Sequence, residues 1–148
     1  MKSKRMPPTY FFIFLFLSIA LHFLFPIEKI IYPPYTYLGF LLIAFGAALN
    51  VWADMLMKRN NTTVKPYGKP ACLITSGPFG ISRNPQYLGF TAILLGVVIL
   101  HGTLIMFLFP VLFVIVMERI FIPFEEENLE KAFGRTYIDY KNKVRRWI

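Results

Sequence analysis

Residues 74–90, ITSGPFGISRNPQYLGF, hold the first concentration of groups able to do chemistry. Asn84 is a favoured helix N-cap, and Pro85 suits the first helical position, where its missing N–H costs nothing. A helix that starts at Pro85 turns its unpaired backbone N–H groups outward, with Arg83 just before it, and that combination favours an anionic group. Gly77, Pro78 and Gly80 let the preceding loop turn tightly, as close backbone approach to a ligand often requires. A capped membrane helix whose arginine reaches lipid phosphate explains the same residues without a ligand.

The second concentration is residues 118–148, ERIFIPFEEENLEKAFGRTYIDYKNKVRRWI. Glu125, Glu126 and Glu127 follow an apolar run, where they do nothing for attraction to anionic lipid, so a cationic or hydroxyl-bearing partner fits them. They also fit the first turn of a helix starting after Pro123, which acidic side chains favour by ~0.3–1 kcal/mol. Beyond them Leu129, Phe133, Tyr137, Tyr140, Val144 and Trp147 recur every three or four residues, the period of one helix face. Such an amphipathic segment lies in the membrane interface, or folds over the loop as a lid, rather than crossing.

The elements that must position these groups are apolar. The chain has 148 residues, 56% of them hydrophobic and 18% aromatic, with a mean hydropathy of +0.54, well above an ordinary soluble domain. Residues 6–27, 33–53 and 84–117 contain no charge. A crossing needs ~20 residues, and His101-Gly102 offers a tight turn inside the third run. The expected architecture is therefore all-α and polytopic: four membrane spans near residues 10–25, 35–57, 85–100 and 103–122, then the C-terminal interfacial helix. One integral membrane domain, residues 1–148, accounts for the whole sequence. Lys2, Lys4 and Arg5 precede the first span, and Lys58, Arg59, Lys65, Lys69 and Arg83 fill the segment after the second, so both termini and that loop are expected on the cytoplasmic side. Residues 1–25 also resemble a signal peptide in layout, but the apolar stretch is long enough to span. The net charge of +8 needs only anionic lipid, not nucleic acid. Cys72 is the single cysteine, and His22 and His101 are too few and too scattered along the chain for a metal site. Asp54 is placed to meet Lys58 one turn later.

A short turn between the third and fourth spans makes them antiparallel neighbours, which brings Arg83 and Asn84 towards Arg119 and Glu125–Glu126. Cationic and anionic walls beside the lipid phase suit a zwitterionic soluble cofactor meeting a lipophilic acceptor. At this point SGPFGISRNPQYLG and RIFIPFEEENLEKAFGRTYIDYKNKVRRW resemble the two ordered motifs of the isoprenylcysteine carboxyl methyltransferases, in the superfamily that includes phospholipid N-methyltransferases. NTTVKPYGKPACLITSGP is similar to the approach segment of small prokaryotic members.

The resemblance implies S-adenosylmethionine-dependent methyl transfer within the membrane. It matches Arg83, Asn84, Pro85, Tyr87 and Gly89 to the first motif and Arg119, Glu125 and Glu126 to the second. Arg83 and Arg119 are the candidate catalytic residues; Asn84, Pro85, Tyr87, Gly89, Glu125 and Glu126 are the candidate cofactor-binding residues; no metal is implied. Asn84 stands where the eukaryotic-type pattern has His, and it cannot serve as a base at neutral pH. An ionised carboxyl acceptor needs none. An isoprenylcysteine-like acid entering from the bilayer is the expected acceptor, with a phospholipid amine or a small thiol as alternatives. A nicotinamide-dependent membrane reductase of related fold and a non-enzymatic four-span protein or small transporter are the other readings. A transporter would carry an ionisable residue deep in a span; Asp54 and Glu118 both fall near span ends.

Overall fold

The computed structural model describes residues 6–25, 28–62 and 71–148, and among them the chain is helical, with an isolated bridge between Lys29 and Thr103 in place of any strand. Helix α1 (Pro7–Leu24) begins with prolines at its first positions, where no N–H partner is required. A 3₁₀ turn (Tyr35–Tyr37) leads into α2 (Leu38–Arg59), which ends on Lys58 and Arg59, charges that favour a helix C-terminus. Asp54 and Lys58 pair at 2.6 Å, as their spacing predicts. A second 3₁₀ turn (Gly77–Gly80) precedes α3 (Pro85–His101). The turn expected at His101-Gly102 is there: Gly102 closes α3 with φ of +69°, a conformation suited to glycine. The Gly102 carbonyl accepts hydrogen bonds from the N–H groups of Ile30 and Ile31 at 2.7 and 3.2 Å. At the same end, His22 Nδ1 lies 2.8 Å from Thr103 Oγ1. The His22 and His101 rings, expected to be scattered, meet with centroids 4.8 Å apart, because α1 and α3 run in the same direction and their C-terminal ends come together.

After a 3₁₀ turn (Leu104–Phe107), α4 (Leu108–Val116) passes through a π-helical turn (Met117–Phe121) into α5 (Ile122–Phe133). The expectation of a fresh helix after Pro123 is thus corrected: the helix runs straight through it. Proline lacks the N–H for an ordinary helical bond and crowds the carbonyl four residues back. The wider turn, in which the Ile122 N–H reaches the Met117 carbonyl, lets the helix continue. It stops at Gly134 (φ +51°), and α6 (Arg135–Lys143) follows. The anticipated continuous amphipathic helix is therefore three pieces, α5, α6 and an extended end from Val144 (φ −118°, ψ 130°).

Three helical stretches among the described residues are long and apolar enough to cross a membrane: Pro7–Leu24, Tyr35–Arg59 and Leu104–Phe133, of 18, 25 and 30 residues. Pro85–His101 is apolar but shorter; at 1.5 Å per residue it is about 25 Å long, a little under a bilayer core. It is the hub of the fold. Against α2 it packs backbone to backbone and antiparallel, since a Cβ on Gly46 would stand 2.4 Å from the Gly89 carbonyl oxygen, and one on Gly39 equally close to that of Gly96. Without a hydrophobic drive between lipid-bathed helices, such small-residue contact is what holds them together. On its other side Tyr87 and Leu94 join Phe11 of α1 and Phe113, Met117, Phe121 and Ile122 in one buried cluster. Phe11 stacks on Phe90 with ring centroids 4.7 Å apart. Lys2, Lys4, Arg5, Lys65 and Lys69, on which the expected orientation partly rests, lie outside the described residues.

Gly46→Leu should lower stability by about 1–3 kcal/mol through overpacking, read as a lower thermal midpoint in detergent. Val51→Leu, on the exposed side of α2, should leave the midpoint unchanged.

Candidate active site

The N-terminus of α3 is where the two polar segments meet. Asn84 does occupy the N-cap position, but its side chain makes no capping bond. Its Nδ2 instead donates to the Arg146 carbonyl at 2.9 Å, and its backbone N–H is taken by the hydroxyl of buried Ser82 at 3.1 Å. The Ser82 hydroxyl in turn donates to the Arg146 carbonyl at 3.3 Å, and the Arg83 N–H donates to the Arg145 carbonyl at 3.0 Å. The N-cap side chain thus serves the C-terminal segment, with its Nδ2 turned to a carbonyl there.

Glu126 is the electrostatic centre. Its carboxylate takes Arg83 Nη1 at 2.9 Å, and Arg146 grips it with a two-pronged contact, Nε to Oε1 at 3.1 Å and Nη2 to Oε2 at 2.7 Å. The Arg83 and Glu126 side chains are only 10% and 9% exposed, so neither charge would be tolerated without the other. Arg146 also donates through Nη1 to Glu118, whose other oxygen accepts the Trp147 indole N–H at 2.8 Å. Lys141 closes the far edge, 2.6 Å from Glu130 and 3.9 Å from Glu126. Glu118 and Glu126 are eight positions apart, an awkward offset for a regular helix. The π-helical turn absorbs one residue, so they fall nearly in line, as a heptad pair does.

The three consecutive glutamates therefore do three different things. Glu127 pairs with Lys131 on the exposed face. Glu126 is saturated by arginines. Glu125 accepts the Tyr87 hydroxyl at 2.5 Å and has no cationic partner among the described residues. Tyr87, two residues into α3 and buried, is thereby tied to α5. Gly89 is used in helix packing, against Gly46 and the Asn50 side chain. Arg119 does not join the cluster: it is exposed on the π-helical turn and has no ion pair among the described residues. The place expected for it is held by Arg146, which sequence reasoning missed along with Glu118, Trp147 and Ser82. The terminal Arg-Arg-Trp run was the available signal, but which arginine turns inward depends on the chain's path after α6.

Helix α6 sits on the loop as a lid rather than as an isolated interfacial helix. Tyr137 and Tyr140 are buried, and the Tyr140 hydroxyl donates to the Phe79 carbonyl at 2.6 Å. Burial first, and then the negative Glu126, push the Tyr137 hydroxyl up to about 12, against the pull of Arg83. Hydrogen bonding to Glu126, the largest influence, holds the Arg146 proton more tightly than usual.

Three buried side-chain polar atoms here lack a well-aligned hydrogen bond among the described residues, Arg83 Nε, Arg83 Nη1 and Asn50 Oδ1; of these Arg83 Nη1 keeps its ion-pair contact with Glu126. A buried donor left open costs roughly 1–3 kcal/mol. The donor and acceptor set, a guanidinium N–H, a carboxylate without a cation and a helix N-terminus, fits a ligand that carries both charges and hydroxyl groups.

The family model described as phospholipid methyltransferase matches residues 35–136. The chain belongs to this family, in the group of membrane methyltransferases that also includes the isoprenylcysteine enzymes. Over 117 residues it is 32% identical to a probable protein-S-isoprenylcysteine O-methyltransferase of Oryza sativa subsp. japonica, an alignment covering 74% of this chain and 58% of the rice protein. Protein-S-isoprenylcysteine O-methyltransferase B of Arabidopsis thaliana is 36% identical over 78 residues, 49% of this chain and 36% of that one. An uncharacterized Haemophilus influenzae protein is 39% identical over its full length, 43% of this chain. The chain thus spans a little over half the length of the rice relative. No solved structure matches.

Two outcomes follow from this geometry. Glu126→Ala strands Arg83 and should cost about 3–5 kcal/mol, measured as a fall in the denaturation midpoint. Tyr137 is neutral when folded up to about pH 12, whereas in the unfolded chain it ionises near 10. Its contribution is complete below pH ~10 and is lost as pH rises towards 12. The wild type should lose stability across that window more steeply than Tyr137→Phe, in melts taken at stepped pH.

Proposed function

We propose that this protein is an S-adenosylmethionine-dependent methyltransferase that works at the membrane on a lipophilic acceptor, with carboxyl O-methylation of an isoprenylcysteine-like acid as its reaction. The supporting observation is the convergence of the loop motif and the C-terminal motif on one buried charged cluster that, among the described residues, leaves Glu125 without a cation and Arg83 Nε without an acceptor. In this reading residues 1–148 form one integral membrane domain. Helix α3 makes a fourth crossing beside α2, and both termini and the polar cluster face the cytoplasm, as the distribution of lysine and arginine favours.

Bound cofactor would supply an electrophilic sulfonium methyl group. The chain's part is to hold and orient. Glu125, with one oxygen engaged by Tyr87, keeps acceptor capacity for the ribose hydroxyls or the ammonium of the ligand. Arg83 offers Nε to a carboxylate, and the N-terminus of α3 at Pro85 adds its partial positive charge. Asn84 supports the site through its bond to the Arg146 carbonyl, and Gly89 through the contact with α2. Arg119, exposed, is left for an anionic group approaching from outside the cluster. Glu126 does not take the ligand; it fixes the two arginines. An ionised carboxyl acceptor is already a nucleophile, so no base is required, and alignment of donor and acceptor is worth ~7–11 kcal/mol.

A second reading, N-methylation of a phospholipid amine, draws on the Tyr87–Glu125 pair, since a carboxylate and phenol in contact can bind an ammonium and take its proton. The names of the relatives favour the carboxyl acceptor, and the family description the amine.

Calorimetric titration of S-adenosylhomocysteine into the detergent-purified protein should give saturable binding. Glu125→Gln should weaken it by about ten- to a hundredfold, the loss of a charged hydrogen bond, with helix content unchanged. A folded wild-type protein that binds no S-adenosylhomocysteine would sink the proposal. A farnesylcysteine analogue and phosphatidylethanolamine, offered as methyl acceptors, then separate the two readings.

A further inference from the structure

At Val144, whose backbone is extended, the chain leaves the helical conformation, and it continues without regular secondary structure. Residues 145–147 then touch the loop before α3, Glu118 and Glu126. The carbonyl of Arg145 accepts from the Arg83 N–H, and that of Arg146 accepts from Ser82 and Asn84. Its guanidinium spans Glu126 and Glu118. The Trp147 ring packs against the buried cluster shared by α1, α3 and α4–α5, while its N–H reaches Glu118. No regular secondary structure holds residues 144–146, so they can part from the loop while the Trp147 ring stays in the bundle. The path of its guanidinium over Glu126 leaves that carboxylate 9% exposed.

We propose that residues 144–147 are a strap that closes the ligand site, with Arg146 as a positioning residue whose grip on Glu126 keeps Arg83 and the start of α3 in their binding arrangement. Ligand exchange then requires the strap to part from Ser82–Asn84. The closed state is favoured because opening it removes the fork of hydrogen bonds that neutralises a buried carboxylate. Without Arg146, Glu126 is left to Arg83 and the more distant Lys141, and Arg83 is drawn onto it and away from a ligand. The part of the proposal concerning ligand exchange rests on the cofactor reading above; the closure itself does not.

The test uses the full chain in detergent, with S-adenosylhomocysteine as the probe. Arg146→Ala should speed its dissociation by about tenfold or more at unchanged binding stoichiometry, whereas a general loss of structure would lower the stoichiometry instead. Independently of any ligand, amide hydrogen exchange at Arg83 should accelerate in the variant while exchange within α2 and α3 stays as in the wild type. Arg146→Lys, which keeps the charge and loses the fork, should fall between the two. Trp147→Phe keeps an aromatic ring against the cluster and removes the indole N–H bonded to Glu118; it serves as the gentler probe if Arg146→Ala does not fold, and should shift both readouts in the same direction. Unchanged dissociation and unchanged Arg83 exchange in a folded variant would overturn the strap. If the wild type binds no S-adenosylhomocysteine, the cofactor reading fails alone, and the exchange experiment still decides whether residues 144–147 close over the loop.

Discussion

The site depends on one buried carboxylate. Glu126 sits on α5, Arg83 on the loop before α3, and Arg146 beyond the last helix, and no helix packing by itself brings these three segments to one point. Burying a single charge is prohibitive, and burying it between two arginines is acceptable only when the geometry is good. The requirement runs both ways. Arg83 needs Glu126 as much as Glu126 needs the arginines, so the loop, the helix and the chain end are selected together or not at all.

That arrangement in turn requires a rigid floor, which α3 supplies. Its glycines let α2 approach to backbone contact on one side, and its aromatic and aliphatic side chains join α1 and α4–α5 on the other. The π-helical turn at Met117–Phe121 completes the fit. It carries the helix past Pro123 and brings Glu118 into line with Glu126, so one departure from regular helix solves a backbone problem and a charge problem together. Tyr87 shows how close the apolar floor and the polar site are: its ring is in the core and its hydroxyl is on Glu125.

The division of labour between neighbouring glutamates was the least legible feature of the sequence. Glu125, Glu126 and Glu127 are chemically identical, and adjacent residues on a helix point about 100° apart. One faces Tyr87, one the arginines and one solvent, and that choice follows from the rotation of α5, which the π-helical turn sets. The same holds for Arg119 and Arg146. Arg119 has the favourable position along the chain, yet the turn on which it sits aims it outward, whereas Arg146 returns from the far end because α6 stops at Lys143 and the chain doubles back to Ser82.

By itself the sequence determined what local patterns encode: the apolar runs that become α1, α2 and the long α4–α5 helix, the start of α3 at Pro85, the turn at Gly102, the Asp54–Lys58 pair, and the two motifs that carry the family. These follow from hydropathy, proline and glycine stereochemistry and short-range charge spacing, each of which acts within a few residues. Only the tertiary structure decided that Asn84 bonds to the strap instead of capping its helix, that α6 lies on the Gly77–Gly80 turn, and that Arg146 rather than Arg119 meets Glu126. Those outcomes rest on contacts between residues some twenty to sixty positions apart, where the winning partner is fixed by burial and by the path of the backbone, quantities that no local pattern contains.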